Sequence, residues 1–338
     1  MTMKRVTQMN QGDPSKSECI AVQEAPEPSL DANNPKHSQK VIVKVHAASL
    51  NPIDYKMIRD GLMVPKGKKF PAGVGTDIAG IVTSVGSGVT TLKVGDEVNS
   101  DAINYEPFAE LAMVNENKVA KKPASSSFAE ATAIPLAGLT AYQSLRDKCR
   151  LKEGGKIMIF GGSGGVGSMA IQMAKHFFKA GLVVTTSSNT DMCKELGADV
   201  VVNYKTENVA DCEGKGTFDC VLDCVGGIDY WRAGKKILKP NGLYVTLCGD
   251  NDVGLGTMIG RILWRKAASI APSNKNYDFF LTKANATDLA VCNKMVEDKK
   301  VKILIDSEYE FTTAGVNAMF AKLMSSRTKG KLVCNIVV

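Results

Sequence analysis

The chain has 338 residues, 44% hydrophobic and 23% charged, which suits about two packed domains of ordinary globular composition. No apolar run reaches the roughly 18 residues of a membrane span. The polar start MTMKRVTQMNQGDPSKSE lacks the apolar stretch of a secretory signal, so a cytoplasmic location is expected, with an organelle stroma or the periphery of an organelle envelope as the alternative. The net charge of +7 is spread along the chain, with KGKK at 66–69 as its longest cluster and no interleaved aromatics. That pattern describes a solvated surface, compatible with a peripheral membrane contact, and no nucleic-acid partner is expected.

The first third reads as short strands and turns. VIVKVHAASL alternates as a half-buried strand, DIAGIVTSVGSGVTTLKVGDEVNS gives two strands around a glycine turn, and FAELAMV gives another. A short helix is expected near PIDYKMIRDG, and the whole fits a mostly antiparallel barrel. Ser127 is placed to cap a helix, and Pro135 interrupts the pattern before a second helix at about 136–148. From KIMIFGG onward, strands rich in Val and Ile alternate with helices as far as GLYVTLCG, which predicts a parallel doubly wound sheet. The end returns to mixed structure: helices in NATDLAVCNKMVEDKK and TAGVNAMFAKLMSS, strands in KILIDSEYEF and KLVCNIVV. The expected domains are 1–130 with 273–338, and 131–272.

Nine cysteines include no C-x-x-C pair. They read as small buried hydrophobes in a reducing compartment, not as a four-thiolate zinc site. Of three histidines, His46 reads as a surface position of its strand and His176 as the end of a helix.

FGGSGGVGSMAIQMAK, residues 160–175, follows a buried strand and opens a helix, with Gly161, Gly164 and Gly167 at every third position. Glycine allows the tight turn and a close ligand approach, and a helix N-terminus faces an anion with N–H groups and the positive end of its dipole. Gly164, Gly165, Val166 and Gly167 are therefore candidate contacts for a dinucleotide pyrophosphate. An NAD site carries an acidic residue at the end of the second strand, about 20 residues on, for the ribose 2′-hydroxyl. Here that strand ends TTSSNT, offering Ser187 and Ser188 and no carboxylate before Asp191. A 2′-phosphate is tolerated there, so NADPH is the expected cofactor. Tyr204, ending the next strand, could flank the adenosine.

Together these segments resemble the zinc-independent quinone oxidoreductase group of the medium-chain dehydrogenase/reductases. The chain is similar to its enone and alkenal reductases, including the chloroplast-envelope quinone oxidoreductase homologues. ASLNPIDYKMIRDG matches the group's Asn-Pro-x-Asp segment, and IPLAGLTAYQSL the entry to its cofactor domain. GGSGGVG, LGADVVVNYK, VLDCVGG and KGKLV follow in family order. The resemblance implies a GroES-like β-barrel domain plus a Rossmann domain, a cleft between them, and a homo-oligomer, expected as a dimer. It places Thr140, Cys224, Leu247, Gly249, Phe279, Phe280 and Lys331 with the cofactor; the two Phe residues could equally be interdomain core. Zinc-dependent relatives carry Cys near the Asn51 region and a His-Glu pair where this chain has Ser49, Thr76 and Asp77, so no metal site is expected.

Without zinc, the implied reaction is hydride transfer from NADPH to an activated C=C bond of an enone or alkenal. Asn51 and Lys56 are candidate donors to the developing enolate oxygen. In the alternative reading Asn51 caps the short helix and Lys56 is solvated. Quinone reduction, enoyl-thioester reduction and non-catalytic NADPH binding are the competing functions. The segment 250–269 matches the family poorly and reads as a flap or a membrane-facing surface.

Overall fold

The computed structural model describes residues 1–61, 69–250, 253, 255–269 and 275–337. Its chain divides into two units: Met1–Leu139 with Ala284–Glu297 and Ile303–Val338, and Thr140–Lys283 with Asp298–Lys302. The exchange points lie at 139/140 and 283/284, where the sequence pattern suggested 130/131 and 272/273. The later return follows from Asn276–Phe279, a strand that pairs in parallel with Leu238–Thr246 and so extends the sheet of the second unit. Positions 66–68 of the KGKK cluster lie outside the described residues.

In the first unit, Lys40–Leu50 is the organising strand. It pairs antiparallel with Asp77–Val85, Leu111–Asn115 and Lys331–Asn335. Its burial follows its sequence: Val41, Val43 and Val45 are inside at alternate positions, while Lys44 is outside. Glu97–Asp101, Val119–Lys121 and Ile305–Glu310 complete a seven-stranded sheet that is mostly antiparallel. A three-stranded sheet of Thr2–Gln8, Ile20–Pro26 and Ala72–Gly73 stands beside it. These N-terminal strands are not visible in the sequence pattern, because tertiary contacts bury polar residues there. Thr7 and Gln8 are each 2% exposed, and the Gln8 amide donates to the Asn10 carbonyl at 3.1 Å. Ser127 caps its helix as expected, its hydroxyl accepting from the Glu130 N–H at 3.1 Å while the Glu130 carboxylate accepts from Ser127. His46 is not the surface residue its strand suggested: its ring stacks on Phe128 with centroids 4.3 Å apart, and burial lowers its pKa.

The second unit holds the predicted doubly wound sheet of six parallel strands. In chain order they are Lys156–Phe160, Leu182–Thr186, Val200–Val202, Phe218–Asp223, Leu238–Thr246 and Asn276–Phe279. Counted so, their order across the sheet is 3-2-1-4-5-6, with the first and fourth side by side at the point where the winding reverses. The helix Leu255–Ala268 lies where a flap or membrane-facing segment was expected. Arg265, 3% exposed, makes a two-pronged ion pair with the buried Asp250 at 2.8 Å, and Arg261 joins at 3.0 Å. Ile259, Leu263 and Trp264 of this helix are exposed.

The expectation that all nine cysteines are free fails at one pair. Cys149 and Cys220, 71 residues apart, are joined as a disulfide with Cα atoms 5.6 Å apart. No spacing in the sequence announces it, because one cysteine follows a helix and the other lies inside the sheet.

Candidate functional site

The glycine loop follows the first parallel strand and opens the helix Gly165–Gln172, with Gly164 as its N-terminal cap. The loop requires its glycines for different reasons. Gly161 turns at φ +81°, and a Cβ there would meet Val225 at 2.8 Å. At Gly167 a Cβ would lie 2.2 Å from the Gly161 carbonyl oxygen, so helix and loop touch backbone to backbone. Around Gly164, by contrast, the nearest atom to a Cβ is 3.6 Å away. The first turn of the helix has no carbonyl one turn back to accept its N–H groups. This is a cradle that fits a pyrophosphate on its backbone donors. It lies at the reversal point between the first and fourth strands, where doubly wound sheets take their ligands.

The other cofactor candidates of the second unit gather around the same ends of the strands. Ser187 follows the second strand; it is 1% exposed and its hydroxyl accepts from the Asn189 N–H at 2.9 Å. Ser188 is half-buried, Tyr204 is 49% exposed, and no carboxylate stands in 187–190. Cys224 and Leu247 each follow one of two neighbouring strands, and these turns are joined. The Gly227 N–H donates to the Gly249 carbonyl at 2.9 Å. Two residues the sequence pattern did not single out make the joint. Asp223 accepts from the N–H groups of Val225 at 3.0 Å and Gly226 at 2.8 Å, and from the Thr246 hydroxyl at 2.9 Å. Thr246 in turn accepts from the Gly249 N–H at 3.1 Å. The signal was the acidic residue in VLDCVGG, whose meaning depends on the neighbouring strand. Phe279 ends the sixth strand opposite Thr246, Phe280 is 8% exposed, and the Thr140 hydroxyl is hydrogen-bonded to that of Thr282 just beyond.

In the first unit, Asn51, Thr76, Asp77, Asp54 and Lys331 form one buried network. Asn51 precedes the helix Pro52–Asp60, and its N–H donates to the Asp54 carboxylate at 2.7 Å. Its side-chain amide donates to the Thr76 hydroxyl at 2.9 Å and to Asp77 at 2.7 Å, while its oxygen accepts from the Lys331 ammonium at 2.5 Å. Lys331 also donates to the Leu50 carbonyl at 2.9 Å and lies 3.4 Å from Asp77. Asp77 accepts from the Leu136 N–H at 3.0 Å, and Asp101 stands directly opposite it on the adjacent strand. Burial pushes the Asp54 carboxyl up to about 7, with the charge of Asp77 adding, and does the same to Asp101. Burial lowers the Lys331 pKa against the pull of Asp77 and Asp54.

The sequence-predicted residues thus fall into two groups, one in each unit. Lys331, expected with the cofactor, spends its donors on Asn51, Leu50 and Asp77. Both amide protons of Asn51 are engaged inside the network. Lys56 lies on the second turn of the helix Pro52–Asp60 and is half-buried.

A carboxyl held near 7 in the fold and near 4 when unfolded binds a proton in the native state over the interval between, so stability falls as pH rises across it. Asp101→Asn removes that dependence. The melting temperature of the variant relative to the parent is expected to be higher at pH 8 than at pH 5, as measured by calorimetry at both.

A parallel dinucleotide-type sheet in one unit and a mostly antiparallel β unit carrying a buried polar network define a two-domain protein of the dehydrogenase/reductase class. Residues 37–141 match the family described as Alcohol dehydrogenase GroES-like domain, and residues 196–334 the family described as Zinc-binding dehydrogenase. The chain belongs to the medium-chain dehydrogenase/reductase superfamily. It is 37% identical over 304 residues to 2-methylene-furan-3-one reductase of Solanum lycopersicum, covering 87% of this chain and 71% of that one. It is 33% identical over 304 residues, with the same shares, to the chloroplastic NADPH-dependent alkenal/one oxidoreductase of Arabidopsis thaliana. Among solved structures it is similar to the quinone oxidoreductase from Coxiella burnetii, at 28% identity and a TM-score of 0.84 over the whole of both chains.

The second family's description mentions zinc, and the residues here do not fit it. A catalytic zinc takes three protein ligands from thiolates, imidazoles and carboxylates. Asp77 offers one carboxylate, already held by Leu136 and Asn51 and facing the Lys331 ammonium, with Ser49 and Thr76 as its neighbours. Among the described residues no group of three or more His, Cys, Asp or Glu could hold a metal. No helix among them is long and apolar enough to cross a membrane.

Proposed function

We propose that this protein is an NADPH-dependent, zinc-independent reductase of the activated C=C bond of enones or alkenals. The observation that carries the reading is the site around Asp77, where an ammonium and an amide stand in place of metal ligands. Oxidation of an alcohol through a zinc alkoxide has no foothold there. Hydride addition to an electron-poor carbon requires no metal, and the relatives named for alkenal/one and furanone reduction support that choice.

The glycine cradle fits the pyrophosphate, and the end of the second strand, without a carboxylate, accepts a 2′-phosphate. Gly164, Gly165, Val166 and Gly167 would hold the former, and Ser187 and Ser188 the latter. Tyr204 would flank the adenosine, and Cys224, Leu247, Gly249 and Thr140 would line the remainder. Bound there, NADPH supplies a hydride. The chain's own task is to steady the negative charge that develops on the substrate's carbonyl oxygen. Lys56, half-buried on the helix that Asn51 precedes, is the proposed donor, with Asn51 held in the buried network beside the start of that helix.

The test is NADPH oxidation with a panel of enones, alkenals, quinones and enoyl thioesters. Turnover of enones or alkenals well above the others is expected, and it should survive prolonged chelation. Turnover confined to quinones would move the function to the activity named for the Coxiella relative. No turnover with intact NADPH binding would mean a non-catalytic nucleotide-binding protein.

NADPH should bind at least about tenfold tighter than NADH, equal to about 1.4 kcal/mol. Ser188→Asp should reverse the order by repelling the 2′-phosphate, as fluorescence titration of both nucleotides will show. Lys56→Met should lower kcat by about 100-fold or less and leave NADPH affinity unchanged. Full activity of that variant on every enone would remove Lys56 from the site.

A further inference from the structure

The second unit carries a cavity of about 610 Å³ lined by the starts of its parallel strands, at Gly155, Asp219, Lys239 and Asn276. That is the end of the sheet opposite the glycine loop. Cys149 is on its wall. This cysteine ends the helical turn Ser144–Lys148 and is half-buried. Its partner Cys220 lies within the fourth parallel strand and is 0% exposed. Two cysteines with Cα atoms 5.6 Å apart are within bonding range without movement of the backbone. An external reagent can therefore reach one sulfur of the pair and not the other.

The cavity wall is mixed in charge: Lys148, Arg150, Lys152 and Lys239 stand with Asp147, Glu153, Asp219 and Asp278, and Asp147 is paired with Arg146, which leaves a small local excess of cations. Lys148 is paired with Asp278, and Lys239 with Asp219. Arg150 and Lys152 line the same cavity and make no ion pair among the described residues. Cations beside a thiol favour the thiolate, which is the reactive form, and attract carboxylates.

We propose that Cys149 and Cys220 are a reversible dithiol–disulfide pair that exchanges with a carboxylate-bearing low-molecular-weight thiol of the glutathione class through this cavity. In oxidation, the Cys149 thiolate attacks glutathione disulfide, forming the mixed disulfide at Cys149 and releasing one glutathione thiolate. The Cys220 thiolate then attacks the Cys149 sulfur, forming the internal bond and releasing the second. The two electrons pass to the glutathione disulfide, and the two protein thiol protons end on the glutathione released. Reduction runs the same steps backward, with glutathione attacking the Cys149 sulfur. The loop closed by the pair is long, so the oxidised protein resists unfolding more than the reduced form.

The experiment equilibrates the full chain with glutathione buffers from fully reduced to fully oxidised, quenches with an alkylating agent and maps the peptides by mass spectrometry. A Cys149–Cys220 cross-link is expected to appear and disappear with the ratio, with the melting midpoint rising by about 5 °C in the linked form. Cys220→Ser should trap one glutathione on Cys149, and Cys149→Ser should leave Cys220 unmodified. Replacing Arg150 and Lys152 together by Glu should slow the exchange about tenfold or more. The proposal is overturned if folded protein shows no such link at any ratio, or if the link forms but resists reduced glutathione. Glutathione absent from Cys149 in folded Cys220→Ser overturns it as well.

Discussion

Gly167→Ala is expected to weaken NADPH binding by about 100-fold, equal to about 2.7 kcal/mol. The added Cβ would lie 2.2 Å from the Gly161 oxygen and 2.9 Å from the Gly162 Cα. Both neighbours are backbone, so the loop itself must move, and with it the N–H donors proposed to hold the phosphates. Helix propensity acts in the other direction, since Ala is the better helix former. Loss of binding in a protein whose helix is intact therefore isolates the close approach of backbone to backbone. Gly164→Ala is the control: its Cβ would lie at ordinary contact distance, 3.6 Å, from the Gly161 oxygen, at an ordinary φ of −78°. Stability should fall by about 1 kcal/mol or less, since Ala is a poorer N-cap than Gly, and any fall in affinity beyond that would measure contact with the bound nucleotide. Isothermal titration of both variants checks the pair. Undiminished affinity in Gly167→Ala would mean that the loop does not form the phosphate site.

Lys331→Met is expected to destabilise the first unit by about 3–5 kcal/mol, the usual cost of leaving a buried charge without its partner. Lys331 is 4% exposed, and it is the cation among Asp54, Asp77 and Asp101, which are all buried. Protonation of those carboxyls relieves the loss, so the penalty should be larger at pH 8 than at pH 5. Adding Asp77→Asn to Lys331→Met should recover part of the stability by removing one of the stranded charges. Urea unfolding of the two single variants and the double variant gives the coupling. NADPH affinity should stay within about twofold, a difference of about 0.4 kcal/mol, if Lys331 acts through Asn51 and Asp77. A much larger fall at constant fold would place its ammonium at the nucleotide instead.

These two residues mark what could be read in advance. Gly167 was legible because the requirement is local: strand, turn and helix are contiguous, and glycine at that spacing has few other uses. The parallel sheet was legible for the same reason, since Val- and Ile-rich strands alternate with helices along the chain. The absence of a carboxylate in Thr186–Asn189 was equally open to reading. Lys331 was not, because its position depends on pairings far apart in the chain. Lys331–Asn335 lies against Lys40–Leu50, which lies against Asp77–Val85, and only that order of strands sets residues 51, 77 and 331 within hydrogen-bond reach.

By itself, then, the sequence determined the two kinds of architecture, the glycine loop between strand and helix, and the absence of a carboxylate after the second strand. Each rests on periodicity, turn chemistry and spacing within a few tens of residues. Tertiary structure alone decided that Asn51 faces inward, that Lys331 neutralises buried carboxylates, and that Asp223 and Thr246 bolt two turns together. It also decided that Cys149 meets Cys220. The physical reason is common to all four. A polar or sulfur-bearing side chain takes its role from the partner that burial forces upon it, and strand order and helix packing choose that partner.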